Sequence, residues 1–293
     1  MNVGLIDVDS HNFPNLPLMK LSAYHKSIGD HVEMWNGFKH YDKVYMAKVF
    51  TDEYTPTMDY CINADEVVTG GTGFDLINKL PNEVEHQYPD YALYDEQRAI
   101  GFLTRGCPRQ CSFCNVSEQQ GKTTKVVADL FEFWHGQDQI VLLDPNITAS
   151  KDCEKLFKQL IKTKSLIDFS QGLDVRMMTT EKVELLNQMR VKAIHFAWDN
   201  YEMQTYEKLK LVRKLLTINR YKLFVYVLTN YNTTHEQDLE RVMKLRELEY
   251  EPYVMIYSKP TAPKVTKQLQ RWVNNRVLWR SCERFEDYGK EQI

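Results

Sequence analysis

Three of the six cysteines in this 293-residue chain fall within eight residues, and their thiols are the strongest candidates for chemistry. Cys107, Cys111 and Cys114 have the spacing C-x3-C-x2-C, which lets one compact loop direct three sulfurs at one centre. Soft thiolates select iron–sulfur clusters, zinc or Cu(I). Three ligands leave one metal position open for catalysis, whereas a structural zinc site requires a fourth ligand. A zinc site completed by a distant Cys or His is the alternative interpretation.

The overall composition limits the class of protein that positions these thiols. The chain is 43% hydrophobic, which is enough for one large core or two smaller ones. The net charge of −3 does not indicate a protein that binds polyanions over its whole surface. The sequence has no apolar run of about 18 residues, so we expect no membrane span. The first nine residues contain two acids and do not resemble a signal peptide, so we expect a cytoplasmic protein, where disulfides are rare.

Residues 1–80 alternate between apolar runs and one helical pattern, which predicts a small parallel α/β domain. Leu16–Ile28 has helical spacing and is followed by Gly29. The strand candidates are Val3–Val8, His31–Trp35, Lys43–Val49 and Glu66–Thr69. Residues 81–97 contain two prolines and no clear period, and we interpret them as a connector.

A longer alternation of strands and helices follows in residues 98–260. The strand candidates are Ala99–Thr104, Gln139–Asp144, Leu166–Ser170, Ala193–Trp198, Lys222–Thr229 and Pro252–Tyr257. The helix candidates are Thr124–His135, Lys151–Lys162, Thr180–Met189, Glu202–Leu216 and His235–Leu248. Six such repeats favour an open or partial barrel over a complete eightfold barrel. Active sites of parallel β/α folds lie at the carboxyl ends of the strands, so we searched those ends for polar residues.

The cysteine loop resembles the cluster loop of the radical S-adenosylmethionine (SAM) superfamily, C-x3-C-x-Φ-C, with Phe113 at the aromatic position Φ. The loop also follows the first strand of the β/α series, and the resemblance covers about Ala99–Tyr257. It implies a partial (β/α)6 barrel in which the three cysteines ligate a [4Fe–4S] cluster and SAM chelates the fourth iron. One electron from a flavodoxin-type or ferredoxin-type protein would then cleave SAM, and the 5′-deoxyadenosyl radical would abstract a hydrogen from an unidentified substrate.

The resemblance places groups that bind SAM at the strand ends. The family usually carries Gly-Gly-Glu after its second strand, but this chain has Asp144 and Asn146 there. Either residue can accept the SAM ammonium, and a plain turn is the alternative. After the third strand, Gln171, Asp174 and Arg176 are candidates, with Arg176 for the SAM carboxylate and Asp174 for the ribose. An Asp–Arg pair that stabilises the loop is the alternative there.

The next two strand ends supply two further candidates. Asp199 suits the ribose hydroxyls, and Asn230 suits a polar edge of adenine or of the substrate. His195 lies within a strand and is interpreted as a core histidine with satisfied hydrogen bonds, not as a base.

The N-terminal domain carries a partial match to a second cofactor loop. Residues 9–14 resemble the D-x-H-x-x-G loop of cobalamin-binding Rossmann-like domains, with His11 at the cobalt-ligand position and Pro14 in place of glycine. Gly70–Gly73 follows a strand where such domains cradle the nucleotide tail, and a tight turn against the barrel is the alternative. We interpret this segment as a reduced relative of the cobalamin domain, in which cobalamin is possible but not expected.

Residues 261–293 predict a helical C-terminal tail with six basic residues against one acid between Lys264 and Arg284. Trp272 and Trp279 interleave with these charges, so the tail can contact RNA. Packing of the tryptophans on the barrel is the favoured alternative. We interpret Cys282 as a buried thiol. Three functions therefore remain open: a radical SAM enzyme without cobalamin, a cobalamin-dependent radical SAM methyltransferase, and a non-catalytic module that binds metal or RNA.

Overall fold

The computed structural model describes residues 1–57 and 61–288 of the chain. The chain divides into two compact units, Met1–Ile140 and Val141–Ile293. No helix in the described ranges is both long enough and apolar enough to cross a membrane. The domain boundaries expected after residues 80, 97 and 260 stay predictions.

Four parallel strands form the N-terminal sheet in the order β2-β1-β3-β4, with β1 Asn2–Asp7, β2 His31–Met34, β3 Tyr41–Ala47 and β4 Ala64–Gly70. Helix α1 (Leu16–Ser27) begins where the Asn15 side chain accepts a hydrogen bond from the backbone N–H of Leu18. Leu18 belongs to the same buried cluster as Val3 and Leu5 of β1. The predicted small, Rossmann-like parallel α/β arrangement is confirmed.

The rest of the first unit consists of short elements. They are helix α2 (Asn82–Glu85), a 3-10 turn at Tyr91–Tyr94, strands β5 (Ala99–Gly101) and β6 (Thr104–Arg105), helix α3 (Val116–Gln120), strand β7 (Lys125–Val126) and a 3-10 turn at Leu130–Glu132. The predicted connector therefore contains two short helical turns, and the strand predicted over Ala99–Thr104 is interrupted after Gly101.

The helix predicted near Thr124–His135 is wrong. Strand β7 pairs antiparallel with β6, and the N–H of Val127 donates to the carbonyl of Leu103 at 2.9 Å. These bonds use the backbone groups that a helix would need. Asp129 then caps the 3-10 turn at Leu130–Glu132, and Asp129 and Glu132 form a capping box.

The second unit repeats strand and helix. Strand β8 (Gln139–Leu142) ends in this unit, which begins at Val141. The other strands of the unit are β9 (Leu166–Phe169), β10 (Ile194–Ala197), β11 (Leu223–Thr229) and β12 (Glu251–Ile256). Its helices are α4 (Cys153–Thr163), α5 (Thr180–Asn187), α6 (Met203–Leu215) and α7 (His235–Glu247), and each begins and ends within two residues of the prediction.

Successive strands of the second unit are neighbours in chain order. The N–H of Ser170, just after β9, donates to the carbonyl of Leu142 in β8 at 3.1 Å, and Ile167 forms a parallel bridge with Val191 before β10. Strands β10, β11 and β12 form a parallel sheet in that order. The α/β class with parallel strands is confirmed, and the six-stranded partial barrel stays a prediction.

Three helices close the described part of the chain: α8 (Lys264–Asn274), α9 (Arg276–Ser281) and α10 (Phe285–Tyr288). Trp272 and Trp279 are buried with their ring centroids 4.9 Å apart. The tryptophans therefore pack, as the favoured alternative predicted, and their faces are not open to RNA bases. Cys282 is buried, as predicted. Contact of the basic residues with RNA stays a prediction, and residues 289–293 lie outside the described ranges.

Candidate functional site

The cysteine loop begins directly after β6 and is closed at its base by residues 121–124. Gly106 has a φ of +89°, and a Cβ atom there would lie 2.2 Å from the carbonyl oxygen of Thr123. The N–H of Cys107 donates to the carbonyl of Gly121, and the hydroxyl of Thr124 donates to the carbonyl of Gly106, both at 3.0 Å. Only glycine allows the two segments to approach this closely.

The three thiols lie on the turn that follows. Cys107 and Cys111 are half-buried and Cys114 is exposed, and the N–H of Cys114 donates to the carbonyl of Cys111 at 3.0 Å. Phe113 lies between Cys111 and Cys114 in the sequence, and its side chain is half-buried. Within the described residues, no three His, Cys, Asp or Glu side chains are grouped as ligands of a metal ion. The donor set fits an iron–sulfur cluster, because it supplies three soft thiolates from one loop.

The second strand end forms a buried turn. Asp144 and Asn146 are each 3% exposed, and the Asn146 side-chain oxygen accepts a hydrogen bond of 2.8 Å from the Thr148 hydroxyl. Lys182 Nζ of α5 donates to the carbonyls of Thr148 and Met177 at 2.9 and 3.0 Å. The structure therefore shows the turn that sequence analysis gave as the alternative, with two polar side chains buried in it.

The third strand end contains the predicted Asp–Arg pair. Arg176 Nε and Nη2 donate to the two carboxylate oxygens of Asp174 at 2.8 and 3.3 Å. The N–H of Asp174 donates to the Thr148 hydroxyl at 3.1 Å, which brings the second and third strand ends together. Gln171 is exposed. The pair stabilises the loop and leaves part of the guanidinium accessible, since Arg176 is exposed.

The fourth and fifth strand ends also meet. Asn232 Nδ2 donates to the side-chain oxygen of Asn200 at 3.1 Å. Asn230 has a φ of +60° and its Nδ2 donates to the carbonyl of Tyr257 at 2.8 Å. Burial raises the pKa of Asp199 to about 6, although the positive charges of Arg241 and Arg176 act in the opposite direction. Asp199 and Arg176 are thus close enough to interact electrostatically.

The sheet formed by β10, β11 and β12 carries an aromatic face that was not predicted from the sequence. The ring of His195 stacks at 5.2 Å on both Phe224 and Tyr226, and Tyr226 meets the edge of Tyr253 at 5.8 Å. The alternation of the aromatic Phe224 and Tyr226 with aliphatic residues in Leu223–Thr229 was the signal in the sequence that could have revealed it. The buried Nδ1 of His195 has no hydrogen-bond partner among the described residues, so the expected satisfaction of its hydrogen bonds is not met at that atom. Burial lowers its pKa, which favours the neutral imidazole.

Backbone hydrogen bonds to Asp9 fix the start of the N-terminal loop that resembles a cobalamin loop. The carboxylate of Asp9 is buried and accepts hydrogen bonds from the N–H groups of Val49 and Phe50 at 2.7 and 2.8 Å. His11 is exposed, has a φ of +45°, and lies 6.0 Å from the Phe50 ring. The loop therefore presents its histidine to the surface at the carboxyl edge of the sheet.

The glycine loop after β4 packs against the segment after β3. A Cβ atom on Gly71 would lie 2.3 Å from the carbonyl oxygen of Lys48, and one on Gly73 would lie 2.3 Å from that of Phe50. The N–H of Gly73 donates to the carbonyl of Lys48 at 3.0 Å. The glycines are thus required for a close approach within the N-terminal domain, as in the tight-turn alternative, and the neighbour in this approach is residues 48–50.

Comparison with solved structures identifies the fold. The radical S-adenosylmethionine methyltransferase TsrM from Kitasatospora setae, solved with cobalamin and a [4Fe–4S] cluster bound, aligns with a TM-score of 0.66. The alignment covers 87% of this chain and 74% of that protein, at 13% sequence identity. This chain has the fold seen in TsrM.

A second TsrM structure, with tryptophan substrate and a SAM analogue bound, aligns with a TM-score of 0.62 at 12% identity over 87% of this chain and 72% of that one. Streptococcus suis SuiB aligns with a TM-score of 0.44 at 12% identity over 69% of this chain and 52% of that one. No protein-family model and no curated protein matches the sequence. At these identities the likeness establishes the fold alone.

Proposed function

We propose that this chain is a radical SAM enzyme whose Cys107, Cys111 and Cys114 hold a [4Fe–4S] cluster. The observation that carries the proposal is the three-cysteine loop, closed at Gly106 directly after a strand, in a chain with the fold of TsrM. A bound cluster supplies the single electron that reductive cleavage of SAM requires. A small flavodoxin-type or ferredoxin-type protein is the proposed donor of that electron.

The strand ends of the second unit carry the proposed SAM contacts. We assign the SAM ammonium to the buried Asp144 and Asn146 turn, because a carboxylate is the stronger partner for a positive charge. Arg176 is assigned to the SAM carboxylate, with Asp174 orienting the guanidinium through its hydrogen bond of 2.8 Å. Gln171 lies close to this pair in sequence and is also assigned to the amino-acid part of SAM.

The nucleoside of SAM is assigned to Asp199 and Asn230. The carboxylate of Asp199 suits the ribose hydroxyls, and the Asn230 amide suits adenine. With a pKa of about 6, Asp199 is ionised at neutral pH and accepts hydrogen bonds only. Phe113 is assigned to the cluster loop, where its half-buried ring limits access of water to the cysteines. The enzyme would abstract a hydrogen atom from a substrate that remains to be identified.

A cobalamin-dependent radical SAM methyltransferase is the second candidate, and the likeness to TsrM with cobalamin bound favours it. That likeness spans 87% of this chain, and the exposed His11 lies at the carboxyl edge of the N-terminal parallel sheet. In this candidate the N-terminal domain holds the corrinoid, whereas in the first candidate it serves as a platform for the substrate.

Anaerobic reconstitution with iron and sulfide, followed by addition of SAM and dithionite, tests the proposal. We expect about four irons per chain and formation of 5′-deoxyadenosine. A corrinoid that co-purifies or loads stoichiometrically, with S-adenosylhomocysteine as the product, supports the methyltransferase instead. Bound zinc without inorganic sulfide, and no nucleoside product, contradicts both candidates and indicates the non-catalytic module.

A further inference from the structure

A fully buried ion pair on α7 lies behind the ends of β10 and β11. Arg241 is 0% exposed and Asp238 is 2% exposed, and Arg241 Nη2 donates to the Asp238 carboxylate at 2.6 Å. The Thr233 hydroxyl donates to the same carboxylate oxygen at 2.5 Å. Apolar residues would stabilise a helix as well as or better than buried charges, because charges lose their hydration. Stability alone therefore does not explain why this ion pair is buried, and the explanation must come from the groups that it contacts.

The contacts of the guanidinium supply that explanation. Arg241 Nη1 donates to the carbonyl of Trp198, and Nη2 donates to the carbonyl of Leu228 at 2.7 Å. The N–H of Trp198 also donates to the carbonyl of Tyr226 at 2.8 Å, so both backbone polar groups of Trp198 are hydrogen-bonded. One planar group with several fixed donors can join two strand ends in this way, and a lysine ammonium cannot reproduce its shape.

The two carbonyls lie next to proposed SAM contacts. Trp198 directly precedes Asp199, and Leu228 lies two residues before Asn230. The charges that act on Asp199 are Arg241 and Arg176, which lower its pKa, and Asp174, which raises it, while burial raises it most. Arg241 thus affects Asp199 both through the backbone and through its charge.

We infer that Arg241, oriented by Asp238, is a positioning residue that fixes Asp199 and Asn230 for the nucleoside of SAM. The inference rests on the proposed function, because it assumes that these two residues contact SAM. It adds a residue of α7, behind the strands, to the groups on which SAM binding depends.

Binding of radiolabelled SAM to the anaerobically reconstituted full chain tests the geometric part. We expect Arg241→Lys to fold, by circular dichroism and by iron content, and to bind SAM about tenfold more weakly. Arg213→Lys is the matched control, since Arg213 also pairs with a carboxylate in the same unit, Glu249 at 2.8 Å, but its side chain is partly exposed. Wild-type affinity in Arg241→Lys, or an equal loss in both variants, overturns the inference.

A titration of Asp199 without SAM or cluster tests the electrostatic part. In 13C-carboxyl NMR spectra, Arg241→Gln should raise the pKa of Asp199 by about one pH unit, and Asp238→Asn should lower it. A purely structural role does not predict shifts of opposite sign, and unchanged titrations overturn the inference. If Arg241→Gln does not fold, the direction of the change in the pKa of Asp199 in the Asp238→Asn variant decides the test. Failure of the wild-type chain to bind SAM contradicts the proposed function, and this titration still tests the action of the pair on Asp199.

Discussion

The phenol of Tyr94 donates a hydrogen bond of 2.7 Å to the carboxylate of Asp7, which lies 87 residues earlier in the chain. The other oxygen of Asp7 accepts from the N–H of Ser10 at 3.2 Å. Burial and the neighbouring carboxylate raise the pKa of Tyr94, so the phenol stays protonated and donates. This bond joins the predicted connector to the loop that presents His11.

Tyr94→Phe should lower the free energy of unfolding by about 1–2 kcal/mol, because a partly buried carboxylate oxygen loses its donor. Urea denaturation of the cluster-free protein measures the change. Tyr54→Phe is the control, since Tyr54 is 61% exposed. Equal midpoints for Tyr94→Phe and the wild type would show that water replaces the phenol without cost.

Replacement of any one of Cys107, Cys111 and Cys114 with alanine should remove most of the bound iron and sulfide, because two thiolates do not retain the cluster. Iron and sulfide analysis after anaerobic reconstitution measures the loss. Cys61→Ala is the control, because this thiol is exposed and lies outside the loop. Retention of a full complement of iron in any loop variant, or loss of it in Cys61→Ala, is incompatible with the proposed ligand set.

Two glycines of the cysteine loop provide a matched pair. Gly106 and Gly121 have φ values of +89° and +100°, so alanine is strained at both, but only at Gly106 would the new Cβ meet a backbone atom, at 2.2 Å. Gly106→Ala should therefore reduce iron loading strongly while Gly121→Ala loads close to the wild-type level. The measurement is iron per folded chain. A reversed order of the two variants would mean that the contact with Thr123 does not shape the loop.

The fold was more predictable than the site. Apolar periodicity located α4–α7 within two residues, because each of these helices covers its strands with one apolar face. The same pattern failed over Thr124–His135, where residues 125–127 pair with β6 and Leu103. Single-segment periodicity does not reveal such pairing, since the partner strand lies about 20 residues away in the chain.

At the site, residue type and spacing identified the cysteines and the Asp174–Arg176 pair, which is local in sequence. Arg241 was not identified, because its function depends on Trp198 and Leu228, which lie 43 and 13 residues away. The aromatic face was also missed, because His195 and Phe224 become neighbours only through the register of β10 with β11. Long-range register was the information that the sequence pattern lacked.

The raised pKa of Asp199 predicts how stability depends on pH. Its ordinary value of 3.8 is raised to about 6 in the folded protein, so between these values the folded state holds a proton that the unfolded state has lost. Stability therefore falls as pH rises from about 4 to 6, and above pH 6 the folded protein bears the full cost of a half-buried carboxylate. Asp199→Asn removes that cost, which we place at about 3 kcal/mol at pH 8.

Thermal or urea unfolding of the cluster-free protein between pH 4 and pH 8 measures this dependence. Asp199→Asn should be more stable than the wild type at pH 8, and the difference should shrink as pH falls through 6 towards 4. Asp75→Asn is the control of opposite sign, because hydrogen bonds from the N–H groups of Ile77 and Asn78 lower the pKa of Asp75. A wild-type chain whose stability does not fall between pH 4 and 6 relative to Asp199→Asn would show that Asp199 is hydrated, and the proposed ribose contact would lose its desolvated carboxylate.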